Sequence, residues 1–460
     1  MITNYYNISI QMQNLIRKCV HNYLTISHHF QSTYGYHYPK ELIQYIISLY
    51  YYSTKIKIKS KHCNTFLLLD NEVYSWGSNN FGQLGLGNTT DTNFPQKLNL
   101  SNVKKIICGG LYNVIITHSN ELYIWSGDSY HSLLKRIMSI YSPQKLLFWN
   151  GMESTTRSTL REKLEFPSIK KIISGTLHEI IVTCSDEIYV LGINSAGQSG
   201  LSHKNYVDQP KKLYFPAIKK IICGNNYTVG ITHSNEIYAC GHNDHGQLGL
   251  GHNHNMYSPG KVNLSNIKKI ICEGDSTMAI TYSNEVYVWG NNFYGQLGLG
   301  HTNNIIFPQK LDLPNVKKII CKNHRTIAIT EFNEIYAWGT NYHGQLGLNH
   351  YDIVNSPQKI NLPNIKKIRC GSYHTIAITH HGEIYVWGRN QCGQLGLDHD
   401  TNMLSPQKLD LPNVKKIICG PSHTMAITYS NEIYVWGYNE YGQLGLGHNI
   451  NVNSPQKLTF

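Results

Sequence analysis

Five histidines, His252, His301, His350, His399 and His448, each follow a glycine-rich segment at the same spacing, a pattern that invites a metal reading. Imidazole nitrogens must lie about 2 Å from a shared ion, whereas packed sheets stand about 10 Å apart. Equivalent histidines of successive units therefore cannot share a metal. His242, His245, His252 and His254 are closer in sequence but lack a standard ligand spacing. Lysines recur too, as pairs running from Lys104-Lys105 to Lys415-Lys416 and as the last residue of PQK at Lys310, Lys359, Lys408 and Lys457. Basic rings of this kind would attract phosphate, and so nucleic acid or chromatin, in a salt-sensitive way. Lysine at strand ends also guards sheet edges, and no aromatic stacking platform accompanies the pairs. Of eleven cysteines, Cys108, Cys223, Cys272, Cys321, Cys370 and Cys419 occupy one position in an apolar strand pattern, which reads as compact buried thiols rather than disulfides. GxSxG, HExxH, CxxC and phosphate-loop motifs are missing, and no nucleophile has an assigned base. Covalent or hydrolytic catalysis, a metal and a cofactor are accordingly not expected.

The elements that position these residues repeat. GQLGL begins at Gly246, Gly295, Gly344, Gly393 and Gly442, each 49 residues after the last, with the variant GQSGL at Gly197 and a first copy at Gly82. Each unit reads in one order: KKIRCG from Lys366, TIAIT from Thr375, EIYVWG from Glu383, GQLGL from Gly393 and SPQKLDL from Ser405. The β-branched and aromatic runs joined by Ser-Asn or His-Gly turns predict hairpins. The dense glycines predict compact turns needing positive φ. Several short strands every 40–50 residues predict an all-β fold, a closed β-propeller of seven or eight four-stranded blades. The chain stops at Ser454-Pro455-Gln456-Lys457-Leu458-Thr459-Phe460, and this last strand is expected to join the blade opened by Lys55-Ile56-Lys57-Ile58.

Of the 460 residues 40 are Lys or Arg and 28 Asp or Glu, a net charge of +12 that favours acidic partners. No apolar run is long enough to span a membrane, and Met1-Ile2-Thr3-Asn4 lacks the basic start of a secretory signal. A monomer inside the cell, in nucleus or cytoplasm, is the expectation.

GQLGLG, the EIYVWG strand before it, and Gly371-Ser372-Tyr373-His374-Thr375-Ile376-Ala377-Ile378-Thr379 resemble the repeat of the regulator-of-chromosome-condensation family, over residues 53–460. The resemblance implies a propeller, usually of seven blades, although eight EIYVWG-like strands are countable here, ending between Gly77 and Gly437. It also implies a choice between two functions. One is a non-enzymatic scaffold that presents propeller loops to a macromolecular partner. The other is a guanine-nucleotide exchange factor for a Ran-like small GTPase, with chromatin contact. The tryptophan-rich GWRHT motif of the family's plant ultraviolet photoreceptors is missing.

Departures from the repeat are the candidate sites. An insertion at 148–165, with Trp149, Arg157, Arg161, Glu162 and Lys163, is a candidate partner-binding loop. At the GxxHT position His178, His374 and His423 alternate with Tyr227, Ser276 and Arg325. By the family pattern these face the central channel, and a histidine bonded within its own blade is the plain alternative. Residues 1–52 stand apart as a short helical segment. One amphipathic helix is predicted from Pro39 to Tyr50, and another around Leu15, Ile16, Cys19, Val20 and Tyr23. The two would plug or cap the propeller; they also resemble F-box modules, which would imply a ubiquitin-ligase adaptor.

Overall fold

The computed structural model describes residues 56–459 except 62, 109–111, 127–143, 146–168, 217 and 363. Both expected N-terminal helices and the 148–165 insertion lie outside the described residues.

The EIYVWG and TIAIT runs form the middle of each blade because both faces of those strands meet a neighbouring blade. In blades 4 to 8 the second strand is buried at all six positions, as in His374–Thr379 and Ser276–Thr281. Such strands read as nearly continuous apolar runs rather than alternating ones. The third strand, such as Ile384–Gly388, alternates at its start, and the PQK strand, such as Met403–Leu409, lies at the outer edge, half-buried for most of its length and exposed near its end. Proline is tolerated there because an edge strand need not donate every N–H. Asn284, Asn333 and Asn431 turn the second strand into the third at φ of 60°, 61° and 62°, and Gly382 does so in blade 7.

The described residues form eight four-stranded antiparallel sheets, each built from four consecutive strands. Blade 1 runs from Ile56 to Lys97, blade 2 from Val103 to Lys145, blade 3 from Ile169 to Lys212 and blade 4 from Ile218 to Val262. Blade 5 runs from Ile267 to Leu311, blade 6 from Val316 to Ile360, blade 7 from Ile365 to Leu409 and blade 8 from Val414 to Lys457. Sequence had left seven and eight open; the second unit, which lost its glycine turn, still supplies four strands.

The expected strand exchange at closure does not occur. Val452–Lys457 pairs with the third strand of its own blade, Tyr434 opposite Lys457 and Val435 opposite Gln456. The phase of the repeat explains this, since Ile56 already opens a first strand and blade 1 completes itself. Closure between blades 8 and 1 uses the contacts that tryptophan makes at the junctions from blade 4 through blade 8. Trp76 Nε1 and Thr65 Oγ1 both donate to Gln443 O, at 2.9 and 3.1 Å, and Gly447 N donates to Asn93 O at 2.8 Å.

The tryptophans explain the second glycine of GQLGL. Trp387 Nε1 donates to Gln345 O of the preceding blade at 3.1 Å, and its indole lies flat on Gly347. A Cβ on Gly347 would stand 2.8 Å from Nε1, and the residue has φ +78°. The same pairing joins Gly298 to Trp338 and Gly396 to Trp436. Gly300, with φ +81°, has nothing within 4 Å of a Cβ. Gly347→Ala is therefore expected to cost about 2–4 kcal/mol from overpacking added to the left-handed backbone. Gly300→Ala should cost about 1 kcal/mol from the backbone alone. Urea unfolding of the two variants beside the native chain measures the difference, and equal losses would contradict the packing role of Gly347.

Candidate functional site

The first residue of the second strand sits at the rim that carries the GQLGL turns, and in blades 3, 4, 7 and 8 it is a ring buried between blades that reaches forward into the next blade. His178 Nε2 meets Thr228 Oγ1 at 3.0 Å, and that hydroxyl donates to Gln198 O at 2.8 Å. His374 repeats the pattern with Thr424 at 3.1 Å, whose hydroxyl donates to Gln394 O. His423 closes the circle on Ser60 Oγ at 2.7 Å. With the threonine hydrogen committed to the carbonyl, the imidazole must donate from Nε2, which leaves Nδ1 as an acceptor. Tyr227 serves in the same place, its hydroxyl donating to Ser276 O at 2.8 Å. The bond therefore crosses to the neighbouring blade instead of staying within its own, and these side chains are enclosed between blades on the second strand.

Blades 5 and 6 break the pattern together. Gly371 and Gly420 are glycine because a Cβ would stand 2.0 and 2.1 Å from the imidazoles of His374 and His423, and a Cβ on Gly224 would meet the Tyr227 ring at 1.9 Å. Where Ser276 and Arg325 replace the ring, that constraint is lifted, and the glycine positions hold Glu273 and Lys322. The strands there continue into two-residue turns, Gly274-Asp275 and Asn323-His324, with φ of 58° at Gly274 and of 46° and 57° in the second turn. Arg325, 1% exposed, crosses to blade 7 and donates to the carbonyls of Ser372, Gly371 and His374. Ser276 is too short to cross, and its hydroxyl donates back to Asn291 O at 2.7 Å.

The consequence is a pocket of about 460 Å³ beside Ser276, lined by Glu273, Gln296, Lys322, His324 and Arg325 and edged by tyrosines. Tyr294 packs on His324 at 4.8 Å between ring centroids, and Tyr373 meets His343 at 5.0 Å. Tyr342, 55% exposed, lines its edge, and Phe293, 58% exposed, stands in the same turn as Tyr294 against His245, where blades 7 and 8 carry Gln391 and Glu440. Burial holds the His324 imidazole below its usual range, although Glu273 and Asp275 oppose the shift. Of the six GxxHT residues, this geometry brings Ser276 and Arg325 together. It adds Glu273 and Lys322, which the sequence analysis missed although the loss of glycine was visible three residues before each exchanged position.

The other candidates have structural roles. His252, His301, His350, His399 and His448 each accept, at Nδ1, a hydrogen bond from the N–H two residues on, 3.1–3.2 Å away, which caps the turn. The PQK lysines are neutralised within their blades: Lys310 pairs with Glu285 at 2.6 Å, Lys359 with Glu334 at 2.6 Å and Lys408 with Glu383 at 2.7 Å. Hydrogen bonding in these pairs lifts the lysine and lowers the glutamate, but exposed pairs add little stability. Burial pushes the thiols of Cys272 and Cys321 up to about 12, so they stay protonated. Trp149, Arg157, Arg161, Glu162 and Lys163 lie outside the described residues.

The junction histidines make stability depend on pH. Burial holds His178 and His423 at about 4, and burial with repulsion from Arg325 holds His374 at about 3, against 6.5 for free imidazole. Above that value both folded and unfolded states are neutral. Below it the unfolded chain takes up protons that the folded chain refuses, so stability falls as pH drops from 6.5 towards about 4. Each such histidine contributes a slope of about 1.4 kcal/mol per pH unit. Urea midpoints measured at several pH values across this window should fall less steeply for His374→Gln than for the native chain, by about one proton's slope; parallel curves would exclude the neutral imidazole.

Comparison with known proteins agrees with this geometry. A stretch of 146 residues is 27% identical to the E3 ubiquitin-protein ligase HERC2 of Homo sapiens, covering 31% of this chain and 3% of that protein. Another, of 152 residues, is 32% identical to the ultraviolet-B receptor UVR8 of Arabidopsis thaliana, covering 32% of this chain and 30% of the receptor. The chain thus spans under a third of either relative's length. The crystal structure of Prp20p from Saccharomyces cerevisiae has the same fold, with a TM-score of 0.55 at 19% identity over 90% of this chain and 89% of Prp20p. The RCC1-like domain matches residues 72–365, and the regulator of chromosome condensation (RCC1) repeat matches 381–427 and 430–460. With well over half its length matched, the chain belongs to the RCC1-repeat family of β-propellers.

Proposed function

We propose that this propeller is a protein-interaction scaffold that offers the GQLGL rim of blades 5 to 7 to a macromolecular partner, with the pocket beside Ser276 receiving one of the partner's side chains. The observation that carries this reading is the paired exchange of glycine for Glu273 and Lys322 with ring for Ser276 and Arg325. It converts a filled junction into a pocket of about 460 Å³ inside an unchanged sheet frame. Exposed aromatics around a recess, ringed by a few charges, are what a binding hot spot needs: large area, little rotamer entropy to lose, and a polar edge.

An exchange factor for a Ran-like GTPase is the second reading. Prp20p, which shares the fold, is a protein described together with its binding properties to Gsp1p and histones. Exchange requires no bond chemistry, only preferential binding of the nucleotide-free GTPase, so a scaffold surface could supply it. The 148–165 insertion is then the candidate wedge, and a nuclear or cytoplasmic location goes with either reading.

Ser276→His made together with Glu273→Gly, which restores the glycine that an imidazole needs three residues earlier, separates the first reading from a folding defect. The imidazole should fill the pocket and donate to Thr326 Oγ1, which now donates to Gln296 O at 2.9 Å. The melting temperature should hold or rise while partner capture is lost. In paired affinity captures, proteins retained by the native chain and by Lys310→Gln on the opposite rim, but not by the Glu273→Gly, Ser276→His double variant, are pocket partners; identical capture by all three would sink the proposal. Release of a fluorescent guanine nucleotide from Ran and other small GTPases, with and without residues 148–165, tests the second reading. Acceleration that depends on the insertion would establish it, and no acceleration would remove it.

A further inference from the structure

The two lysines of each KK pair do different work. The first turns out to the rim opposite the GQLGL turns and caps its own blade's hairpin. Lys170 pairs with Asp186 at 2.6 Å, Lys268 donates to Asn284 Oδ1 at 3.0 Å, and Lys317 lies 3.9 Å from Glu331. The second lysine stands one residue before the isoleucine that is buried between blades, as Lys318 stands before Ile319 and Lys416 before Ile417. Alternate residues leave a strand on opposite faces, so the isoleucine enters the junction and the lysine leaves on the other side. In blade 1 Lys57, opposite Leu68, holds the register that Lys105 holds opposite Ile116. Every blade therefore contributes one lysine at this level.

These strands line the central channel, because it is the first strands of neighbouring blades that approach one another. Ile56–Lys61 meets both Val103–Cys108 and Val414–Cys419, and Ile267–Glu273 meets both Ile218–Cys223 and Val316–Lys322. The junctions of blades 2 with 3 and 6 with 7 are closed by shared cores, Val114 with Ile169 and Ile335 with Ile365. Blade 7 adds Arg369 and blade 1 adds Lys59 one step further along, at matching register opposite Ile376 and Phe66. The side chains are close enough to repel one another around the circle. Burial first, and then Lys59, Lys171 and Lys57, lowers Lys105. Burial with Lys269 and Lys171 lowers Lys220, and burial with Arg369 and Lys269 lowers Lys318. Among the described residues no carboxylate forms an ion pair with any of these eight lysines, in contrast to every PQK lysine named above. Residues 1–55 carry a single acid, Glu41, against Arg17, Lys18, Lys40 and Lys55, so that segment cannot balance the ring.

We propose that the channel is a binding site for a compact polyphosphate, held on its axis by the ring of second lysines, with Lys59 and Arg369 as the next level of contact. A small anion with several charges is touched by many converging ammoniums at once, each a point charge with three donors. A duplex would have to lie along an outer face, where the lysines are already paired, and a peptide carries its carboxylates too far apart to satisfy a single ring. The proposal is independent of the Ser276 pocket, which opens on the other rim.

The test is calorimetric titration of the full chain with sodium tripolyphosphate and with inositol hexakisphosphate, beside a short single-stranded oligonucleotide. The expected result is one phosphate probe bound per chain, weakening steeply with added salt. The tighter probe tells whether a linear or a cyclic polyphosphate is the source. Lys220→Gln, Lys318→Gln and Lys416→Gln together should weaken binding by about tenfold or more, since three of eight contacts lose their charge. Lys261→Gln, Lys310→Gln and Lys359→Gln, which remove the same charge from outer strands, should leave it unchanged. If the triple ring variant misfolds, Lys318→Gln alone should still weaken binding several-fold, and the phosphate probes should raise the melting temperature of the native chain. No binding of either phosphate at millimolar concentration overturns the proposal. So does equal loss from both lysine sets, or tight binding of the oligonucleotide that ignores the ring substitutions.

Discussion

A backbone carbonyl, that of the glutamine in GQLGL, accepts two hydrogen bonds from the following blade, and the architecture rests on that contact. At Gln296 the donors are Trp338 Nε1 at 2.9 Å and Thr326 Oγ1 at 2.9 Å; at Gln394 they are Trp436 Nε1 at 3.0 Å and Thr424 Oγ1 at 2.9 Å. Both donors and the acceptor are buried, so leaving any one of them unpaired would cost about 1–3 kcal/mol. The indole can reach the carbonyl only by lying on a glycine, which is why the turn carries one at that point. The junctions from blade 4 through blade 8 and on to blade 1 repeat this geometry, while blade 4 itself meets Gln198 O through Thr228 with Cys240 at the tryptophan position; a ring of such junctions closes where the accumulated rotation completes a circle. Eight blades meet that condition without a strand crossing from the last blade to the first.

The rigid junction leaves the two rims free to differ. On one rim, lysine and glutamate of adjacent outer strands neutralise one another, and the first lysine of each pair caps a hairpin turn. On the other, the GxxHT position is filled by imidazole, phenol, guanidinium or hydroxyl with little change in the sheets. Arg325 shows how far this can go: a buried cation with three carbonyl acceptors substitutes for a neutral ring and still ties blade 6 to blade 7. Ser276 shows the opposite, a junction that keeps its Trp338 and Thr326 bonds to Gln296 O with space where the ring would be. Variation at a single register thus changes a surface without unsettling the fold.

Much of this was legible in the residues. The 49-residue period, the four strands per unit, the turn glycines and the tryptophan as a core residue all follow from patterns within one repeat. Less was legible at the site. Ser276 and Arg325 stood out as exchanges, but the meaning of Glu273 and Lys322 depended on seeing an imidazole folded over the glycine three residues earlier. The histidines after GQLGL looked like ligands because their spacing was regular; the regularity belongs to a turn cap. The PQK lysines looked like a basic ring until the fold brought a glutamate from 25 residues earlier beside each one, as Glu285 is beside Lys310.

The sequence by itself determined the repeat and the set of strands within it, because these rest on local periodicity and turn chemistry that act within a few residues. Only the tertiary structure decided the number of blades in the closed ring, the crossing of the GxxHT rings and of Arg325 to the next blade, and which lysine of each pair faces the channel. Those outcomes depend on the rotation summed over all junctions and on which face of a strand meets its neighbour. Neither quantity is a property of any one repeat.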